Sequence, residues 1–228
     1  MKNYLPRAAI FLSLIVMFPV DYLRGQDTIY LKNPSFEDVA RKGKPGAPPI
    51  QNWTDCGGEQ FPGTSPPDIH PAKEKFWGVT LQPQEGKTYL GLVVRANSSW
   101  ESVSQELSHP LQQGFCYSLQ AMLALSETYN SSTTTSQIIY GQYERESFVH
   151  PAVLVIWGGQ HECDKMQILG VSSDVDNFEW KPYSFIFSAH HDYTHITFEA
   201  YYSKSSTKLY NGHIMIDNLT PIVEIECK

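Results

Sequence analysis

The sequence predicts an all-β protein, a two-sheet antiparallel β-sandwich with long ordered loops. Aromatic residues are frequent, with 13 Tyr, 11 Phe and 5 Trp among 228 residues, and aromatic side chains favour strands. Apolar and polar residues alternate in several runs that turn-forming residues separate. No segment shows a sustained helical period. We therefore expect one sandwich domain over residues 26–228.

Residues 1–25 have the pattern of a secretory signal peptide. Lys2 and Arg7 give a positive start, residues 8–20 are apolar, and residues 21–25 form a polar exit. The apolar run is too short to cross a bilayer of about 30 Å as a helix. We expect an exported protein without a transmembrane span, found at the cell surface, on the outer membrane or outside the cell. An uncleaved membrane anchor is the alternative.

Charge and cysteine content narrow the classes of partner and compartment. The formal net charge is −7, which disfavours nucleic acid and anionic membranes as partners. Four cysteines, Cys56, Cys116, Cys163 and Cys227, fit an exported chain with up to two disulfides in any of three pairings. Cys116 and Cys163 each adjoin a strand-like run, which slightly favours that pair. Free, buried thiols are the alternative.

The predicted strands begin just after the signal region and continue to the C-terminus. The run 115–125 is the clearest, because its odd-numbered residues from Tyr117 to Leu125 are apolar and share one face. Run 152–157 is almost continuously apolar. The strand candidates are 28–32, 88–94, 101–107, 115–125, 152–157, 180–188, 193–202 and 213–219.

Two long segments lie between these strands. Residues 39–86 are rich in Gly and Pro, which excludes the interior of a sheet, yet they include Trp53 and Trp77. A disordered linker would be poor in aromatic residues, so we expect ordered loops that fold over the domain. Residues 127–146 are polar and rich in Ser and Thr, and they predict a second long loop.

Six motifs, in this order, resemble the galactose-binding-like jelly rolls that include many carbohydrate-binding modules. They are Asn-Pro-Ser-Phe-Glu (33–37), Tyr-Leu-Gly-Leu (89–92), Val-Ser-Gln-Glu-Leu (103–107), Gly-Phe-Cys-Tyr-Ser-Leu (114–119), Trp-Lys-Pro-Tyr-Ser-Phe (180–185) and Ile-Asp-Asn-Leu (216–219). The resemblance covers residues 28–219 and implies a jelly-roll sandwich. The Pro-Pro-Asp-Ile and Ile-Trp-Gly-Gly segments also resemble exported envelope-associated proteins of Gram-negative bacteria, in which such a stretch can precede a peptidoglycan-binding domain.

Glu37 and Asp217 form a candidate metal site. A fold that pairs its terminal strands could bring them together, and two neighbouring carboxylates need a cation or a proton. The family resemblance implies that they help to hold a structural Ca²⁺, with backbone carbonyls completing the shell, and hard oxygen ligands suit this ion. The alternative is that Glu37 is a solvated turn residue and Asp217 accepts backbone amides.

A second group of residues is a candidate sugar site. Prolines flank Asp68 and His70, so their polar atoms would be presented with little loss of entropy, and an exposed Trp offers a face on which a sugar ring can stack. The alternative for each Trp is packing in the core or under a loop. The candidate ligand-binding residues are Trp53, Asp68, His70, Trp77, Trp157 and His161.

The sequence favours binding over catalysis. It contains no Gly-x-Ser-x-Gly, no Gly-rich phosphate loop and no His-Glu-x-x-His. The leading hypothesis is a non-catalytic module that recognises a carbohydrate or glycan at the cell surface. The competing hypothesis is a structural or interaction subunit of an outer-membrane or surface assembly, because stiff loops and aromatic residues also suit a protein interface.

Overall fold

The computed structural model describes residues 27–43, 47–57, 66–71, 75–131, 138–139, 142–143 and 145–227. The predicted signal peptide lies outside these residues. The described strands are Thr28–Ile29 (β1), Thr54–Asp55 (β2), Asp68–His70 (β3), Tyr89–Arg95 (β4), Ser99–Trp100 (β5), Ser102–Leu111 (β6), Cys116–Ala124 (β7), Asn130–Ser131 (β8), Ile138–Ile139 (β9), Gln142–Tyr143 (β10), Glu146–Ser147 (β11), His150–Gly159 (β12), Gln167–Val171 (β13), Lys181–Ser188 (β14), Tyr193–Tyr202 (β15), Gly212–Asp217 (β16) and Ile222–Ile225 (β17).

The strands form two layers of mainly antiparallel pairs, which confirms the predicted β-sandwich. In the first sheet, β7 pairs with β14 on one side and with β16 and β17 on the other, and β16 continues to β4 and β3. In the second sheet the order is β13-β12-β15-β6-β2. A short parallel contact between the starts of β12 and β16 joins the two sheets.

The core lies between the two sheets and follows the period-two alternation of the strands. In β7, Tyr117, Leu119, Ala121 and Leu123 are all buried in it. Residues 196, 198 and 200 of β15 enter it from the opposite sheet. The inward faces that the sequence predicts for these two runs are therefore confirmed.

The central strand β4 is buried on both faces, which explains its nearly unbroken apolar sequence. Leu90 and Leu92 face the core between the sheets. Tyr89 and Val93 face outward into a second apolar cluster, which we call the outer cluster. Its buried members are Val79, Tyr89, Val93, Ala124, Tyr129, Phe148 and Met215.

The two predicted loop segments contain more structure than the sequence indicates. Within 39–86, β2 pairs with β6 and β3 pairs with β4, so the predicted loops also contain two short strands, which lie at sheet edges and not in a sheet interior. These additions are only two and three residues long, which Pro-rich flanking sequence permits at a sheet edge. Residues 127–146 contribute β8 to a pair with β11 and form the β9-β10 pair.

The disulfides correct the favoured pairing of Cys116 with Cys163. The bonds join Cys56 to Cys163 and Cys116 to Cys227. Strand β17 pairs with β7 so that Ile225 lies opposite Cys116, and this register brings Cys227 to it. Cys163 lies instead in the turn between β12 and β13, which reaches across to the end of β2.

Among the residues that the structure describes, no helix is long and apolar enough to cross a membrane.

Candidate ligand-binding cleft

A cleft of about 570 Å³ lies on the outer face of the second sheet. Its floor is formed by β12, β13 and β15, and its edges are the turn before β13 and the segment after β15. The lining residues are Trp100, Val153, Trp157, Lys165, Ile168, Val171, Glu199, Tyr201, Tyr202, Ser203, Lys204, Ser206, Thr207, Lys208 and Leu209.

The strand alternation that builds the core also builds the cleft floor. In β15, Phe198 and Ala200 are fully buried in the core, so Glu199 and Tyr201 lie on the other face. In β12, Ile156 is in the core and Trp157 lines the cleft, opposite Ile168 of β13. The outer face of the second sheet therefore carries apolar and aromatic side chains, which one expects to be covered by a ligand or partner.

The Gly-Gly sequence after Trp157 allows the chain to fold back over this face. A Cβ atom at Gly159 would lie 2.3 Å from the Cβ of Asp164, which belongs to the turn. A Cβ at Gly158 would lie 2.8 Å from the ring of Tyr193 on the opposite side. Side chains at these positions would displace the turn or the ring. Gly159 therefore permits the close approach of turn 160–166, one wall of the cleft, and Gly158 permits the packing of the Tyr193 ring.

An ion pair between a buried carboxylate and a partly exposed lysine lies in the cleft. Lys165 of the turn contacts the carboxylate of Glu199, whose side chain is only 3% exposed, while that of Lys165 is 31% exposed. The indole Nε1 of Trp157 is buried and has no hydrogen-bond partner among the described residues. The carboxylate and ammonium groups of this pair, set in an apolar cleft, are directed polar groups of the kind that orient a ligand.

Aromatic rings form the opposite part of the cleft. The ring of Trp100 packs edge-on against Tyr201, with centroids 4.9 Å apart and planes at 77°. It makes a similar contact with Tyr202 at 6.2 Å. Tyr202 is held by its hydroxyl, which donates to the carbonyl oxygen of Arg95 at 2.5 Å. These contacts fix the orientation of the rings before any ligand is present.

The predicted site residues are not brought together in one place. Trp53 is in the core, 3% exposed, between the rings of Phe36 at 4.9 Å and Phe198 at 5.6 Å. Its Nε1 donates to the carbonyl oxygen of Asn33 at 3.0 Å. Trp53 is therefore packed in the core, which is the alternative to ligand binding that the sequence leaves open for each Trp. Trp157, for which packing was also the alternative, is half-buried and lines the cleft.

Asp68 and His70 are buried, so the expectation that they present polar atoms at the surface is wrong. They belong to the short strand β3, and they lie beside the outer cluster on the first sheet. Asp68 accepts hydrogen bonds from the Tyr129 hydroxyl, from Trp77 Nε1 at 2.9 Å and from the Gly43 amide at 2.6 Å. Trp77 is thus near Asp68, as predicted, but on the face of the sandwich opposite Trp157.

Buried ionisable groups surround Asp68. Burial raises the pKa of Asp68 to about 6, although its three hydrogen bonds oppose the rise. Burial likewise raises the pKa of Glu101 to about 7 against the effect of its partner Arg95. Burial lowers the pKa of His70 to about 3. The Nε2 atom of His70 has no hydrogen-bond partner among the described residues. This polar cluster (Asp68, His70, Arg95, Glu101) supports the outer cluster rather than an open surface.

His161 is exposed in the turn between β12 and β13. Its backbone amide donates to Asp164 Oδ2 at 2.9 Å, and its side chain is not among those that line the cleft. It therefore lies near the wall of the cleft, and of the six predicted ligand-binding residues Trp157 is the one that the structure places inside it.

Glu37 and Asp217 meet at a common loop, as the sequence predicts. Glu37 Oε1 accepts the amides of Lys87 at 2.8 Å and Thr88 at 3.2 Å. Asp217 Oδ2 accepts the amides of Gln84 and Glu85 at 2.8 and 3.1 Å. Burial raises the pKa of Asp217 to about 6, and the charge of Glu37 contributes to this.

The fit of this pair to Ca²⁺ is partial. Carboxylates are suitable ligands, but one oxygen of each accepts two amide N–H groups, which leaves fewer lone pairs for a cation. Within the described ranges, no three His, Cys, Asp or Glu side chains are grouped closely enough to hold a metal. The observed contacts are those of amide capping, and calcium stays a prediction.

Most of the residues that line the cleft are not among those that the sequence predicts as ligand-binding. Glu199 and Tyr201 lie in the predicted strand 193–202, and Trp100 directly precedes the predicted strand 101–107. The sequence assigns a role only to the residues of these strands that face the core. The available signal was the outward set of run 193–202, where Glu199 and Tyr201 alternate with core residues. Lys165 could not be placed, because its position depends on how turn 160–166 folds back.

Comparison with known proteins supports the fold but does not assign the chain to a family. No protein-family model matches the chain, and no curated protein matches it. Among solved structures, the apo form of a cyclase from Fischerella sp. has a TM-score of 0.55 at 13% identity, covering 89% of this chain and 98% of that one. The Stig cyclase Fisc from Fischerella sp. TAU, in complex with an indole compound, has a TM-score of 0.52 at 11% identity, covering 89% and 100%.

The structural neighbours also include carbohydrate-binding modules. The CBM22-1 xylan-binding domain from Paenibacillus barcinonensis Xyn10C has a TM-score of 0.42 at 12% identity, covering 84% of this chain and 97% of that one. At identities this low, similarity to solved structures shows the fold alone. The similarity to the two Fischerella structures, whose TM-scores exceed 0.5, therefore supports the overall fold of this chain and assigns no function to it.

Proposed function

We propose that this protein is an exported, non-catalytic binding protein that recognises a carbohydrate in the cleft of the second sheet. The observation that carries the proposal is the combination of preoriented aromatic rings with the Lys165–Glu199 ion pair in one cleft. Sugar rings present apolar C–H faces and hydroxyl edges. Indole and phenol rings complement the faces, while the ammonium and carboxylate groups complement the hydroxyls.

The size and openness of the site support a small glycan as the ligand. A volume of about 570 Å³ lies within the range of roughly 300–1,000 Å³ that is usual for ligand pockets. The floor is a sheet, so its backbone is held by the ladders of β12, β13 and β15. A rigid floor reduces the entropy that binding must overcome.

Binding without catalysis is supported by the acidic groups of the cleft. Among its described lining residues, Glu199 is the one carboxylate, and it is paired with Lys165. Most glycosidases use two carboxyl groups about 5–10 Å apart across the scissile bond. A single, charge-paired carboxylate suits the orientation of a ligand better than general acid catalysis.

Export is supported by the cysteines, since all four form disulfides, which persist in oxidising compartments. The pattern of residues 1–25 supports the same conclusion. A location at the cell surface follows if the ligand is a cell-surface or environmental glycan.

The test is a titration of the purified protein with a panel of oligosaccharides. We expect Trp157→Ala and Tyr201→Ala each to weaken binding by about tenfold or more, since truncating a central aromatic residue costs over roughly 1 kcal/mol. Tyr30→Ala is the matched control, because Tyr30 is 69% exposed and does not line the cleft. Absence of any ligand, or equal binding by all three variants, would contradict the proposal.

A stoichiometric protein partner retained in excess sugar would favour an assembly subunit instead.

A further inference from the structure

The charge of the cleft is opposite in sign to that of the whole chain. The protein carries a formal net charge of −7, yet the described residues that line the cleft include three lysines and a single carboxylate. Lys165 is neutralised by Glu199. Lys204 and Lys208 belong to the segment after β15, where both are exposed at the opening.

Neither of these two lysines has an ion-pair partner within 4 Å among the described residues. An acidic group contacts the same segment: Asp174 accepts a hydrogen bond from the Ser203 hydroxyl at 2.8 Å. Asp174 is not among the lining residues. It offsets part of the positive potential, and Lys204 and Lys208 remain exposed lining residues of the cleft.

From this charge pattern, and resting on the proposed carbohydrate function, we infer that the ligand is an anionic oligosaccharide that carries carboxylate or sulfate groups. The aromatic rings of Trp157 and Tyr201 bind the faces of the sugar units. Lys204 and Lys208 bind the anionic substituents at the rim. An apolar cleft wall has a low dielectric constant and concentrates the field of nearby charges, so these lysines act more strongly here than on an open surface.

The type of cation indicates which anions are accepted. Lysine presents a compact ammonium on a flexible stem, whereas arginine presents a planar fork that selects bidentate carboxylate geometry. Among the described lining residues the cations are all lysines. Recognition by point charge tolerates both carboxylate and sulfate. The overall negative charge of the protein opposes long polyanions such as nucleic acids, so the favoured ligand is a short segment that fits inside the cleft.

The experiment compares two matched pairs of probes: oligogalacturonate with its methyl ester, and a sulfated galactan oligosaccharide with its desulfated form. In low salt, we expect the anionic member of at least one pair to bind about five- to tenfold more tightly than its neutral partner. The preferred pair identifies the source of the negative charge. The preference should shrink in high salt, because exposed charges are screened.

Two double variants separate local from global charge. Lys204→Gln with Lys208→Gln should abolish the preference for the anionic probe over its neutral partner. Lys32→Gln with Lys181→Gln alters the net charge equally on surfaces outside the cleft and should retain the preference. Equal binding of anionic and neutral probes, or a preference that survives in the first variant, overturns the inference and leaves carbohydrate binding intact. Failure of every probe and every panel sugar to bind overturns the proposed function itself.

Discussion

Neighbouring residues of β15 have opposite roles because they face opposite sides of the second sheet. Phe198 and Ala200 are fully buried in the core, whereas Glu199 and Tyr201 line the cleft. A shift of one residue in the register of β15 would exchange the two sets. The hydrophobic pattern that specifies the core therefore also specifies the binding face, although only the first is evident from the sequence.

His213 is a second residue whose role is decided by its surroundings. It is fully buried under the outer cluster, where its Nε2 accepts the amide of Ser126 at 2.8 Å and its Nδ1 donates to the carbonyl oxygen of Phe148 at 2.6 Å. Protonation of Nε2 would remove the acceptor for Ser126. Burial lowers the pKa of His213 from 6.5 to about 4.

We expect this histidine to make the protein less stable in acid. Between pH 6.5 and about 4 the unfolded chain binds a proton at His213 that the folded protein excludes, so this contribution is present above pH 6.5 and is lost as the pH falls towards 4. The raised pKa values of Asp68, Glu101 and Asp217 act in the opposite sense over a similar range, while the lowered pKa of His70 acts in the same sense, so the wild type alone does not show the effect of His213. The difference in unfolding free energy between wild type and His213→Gln isolates it.

Urea unfolding of both proteins from pH 4 to pH 8 measures that difference. It should grow as the pH rises to about 6.5 and remain constant above. A difference that does not depend on pH would show that His213 is not held neutral by burial.

At the scale of elements, the turn 160–166 forms a wall of the cleft only because it is tied to another loop. Its Cys163 is bonded to Cys56 beside β2, across 107 residues of sequence. Gly159 permits the close approach of Asp164, and Lys165 then reaches Glu199 on the floor. The second disulfide, from Cys116 to Cys227, ties β7 to the residues after β17, outside the cleft.

We predict that the two disulfides contribute similarly to stability and differently to binding. Cys56→Ser with Cys163→Ser and Cys116→Ser with Cys227→Ser should each lower the unfolding free energy by about 2–5 kcal/mol, since both bonds close loops of similar length. Only the first variant should also weaken glycan binding, because it releases the wall that carries Lys165. Thermal melts and titrations below the melting temperature measure the two effects. Equal loss of binding in both variants would contradict this assignment.

At the scale of the whole molecule, Glu37 and Asp217 tie the first and last parts of the chain to loop 84–88. Gly86 in this loop has a φ of +62°, and a Cβ there would lie 2.0 Å from Glu37 Oε1. The loop therefore needs glycine to bring its amides to the carboxylates. Two buried or half-buried carboxylates at this junction are stabilised by amides, by a proton or by a cation.

If Ca²⁺ occupies the junction, a chelator should lower the melting temperature by several degrees, because a ligand that binds only the folded state raises its stability. Asp217→Asn should remove this sensitivity, since an amide oxygen can still accept the N–H groups of Gln84 and Glu85 but carries no charge. An unchanged melt of the wild type in chelator would show that amide capping alone satisfies the pair.

The alternation of residues was sufficient to predict the sandwich and the inward face of β7. It could not show that Cys163 reaches Cys56 or that Lys165 reaches Glu199, because such contacts depend on which loop covers which sheet. Asp68 and His70 were misplaced for the same reason, since proline-rich sequence does not reveal that β3 joins β4 beneath an outer layer.

The five tryptophans allow the most direct test of the central claim, because each contributes one indole N–H resonance to a nitrogen–proton NMR spectrum. Trp100 and Trp157 line the cleft, Trp53 is in the core, and Trp77 and Trp180 pack against the outer cluster on the other sheet. During titration with a binding oligosaccharide, the resonances of Trp100 and Trp157 should shift while the other three stay in place. Shifts confined to Trp77 and Trp180, or no indole shift at saturation, would contradict a binding site on the second sheet.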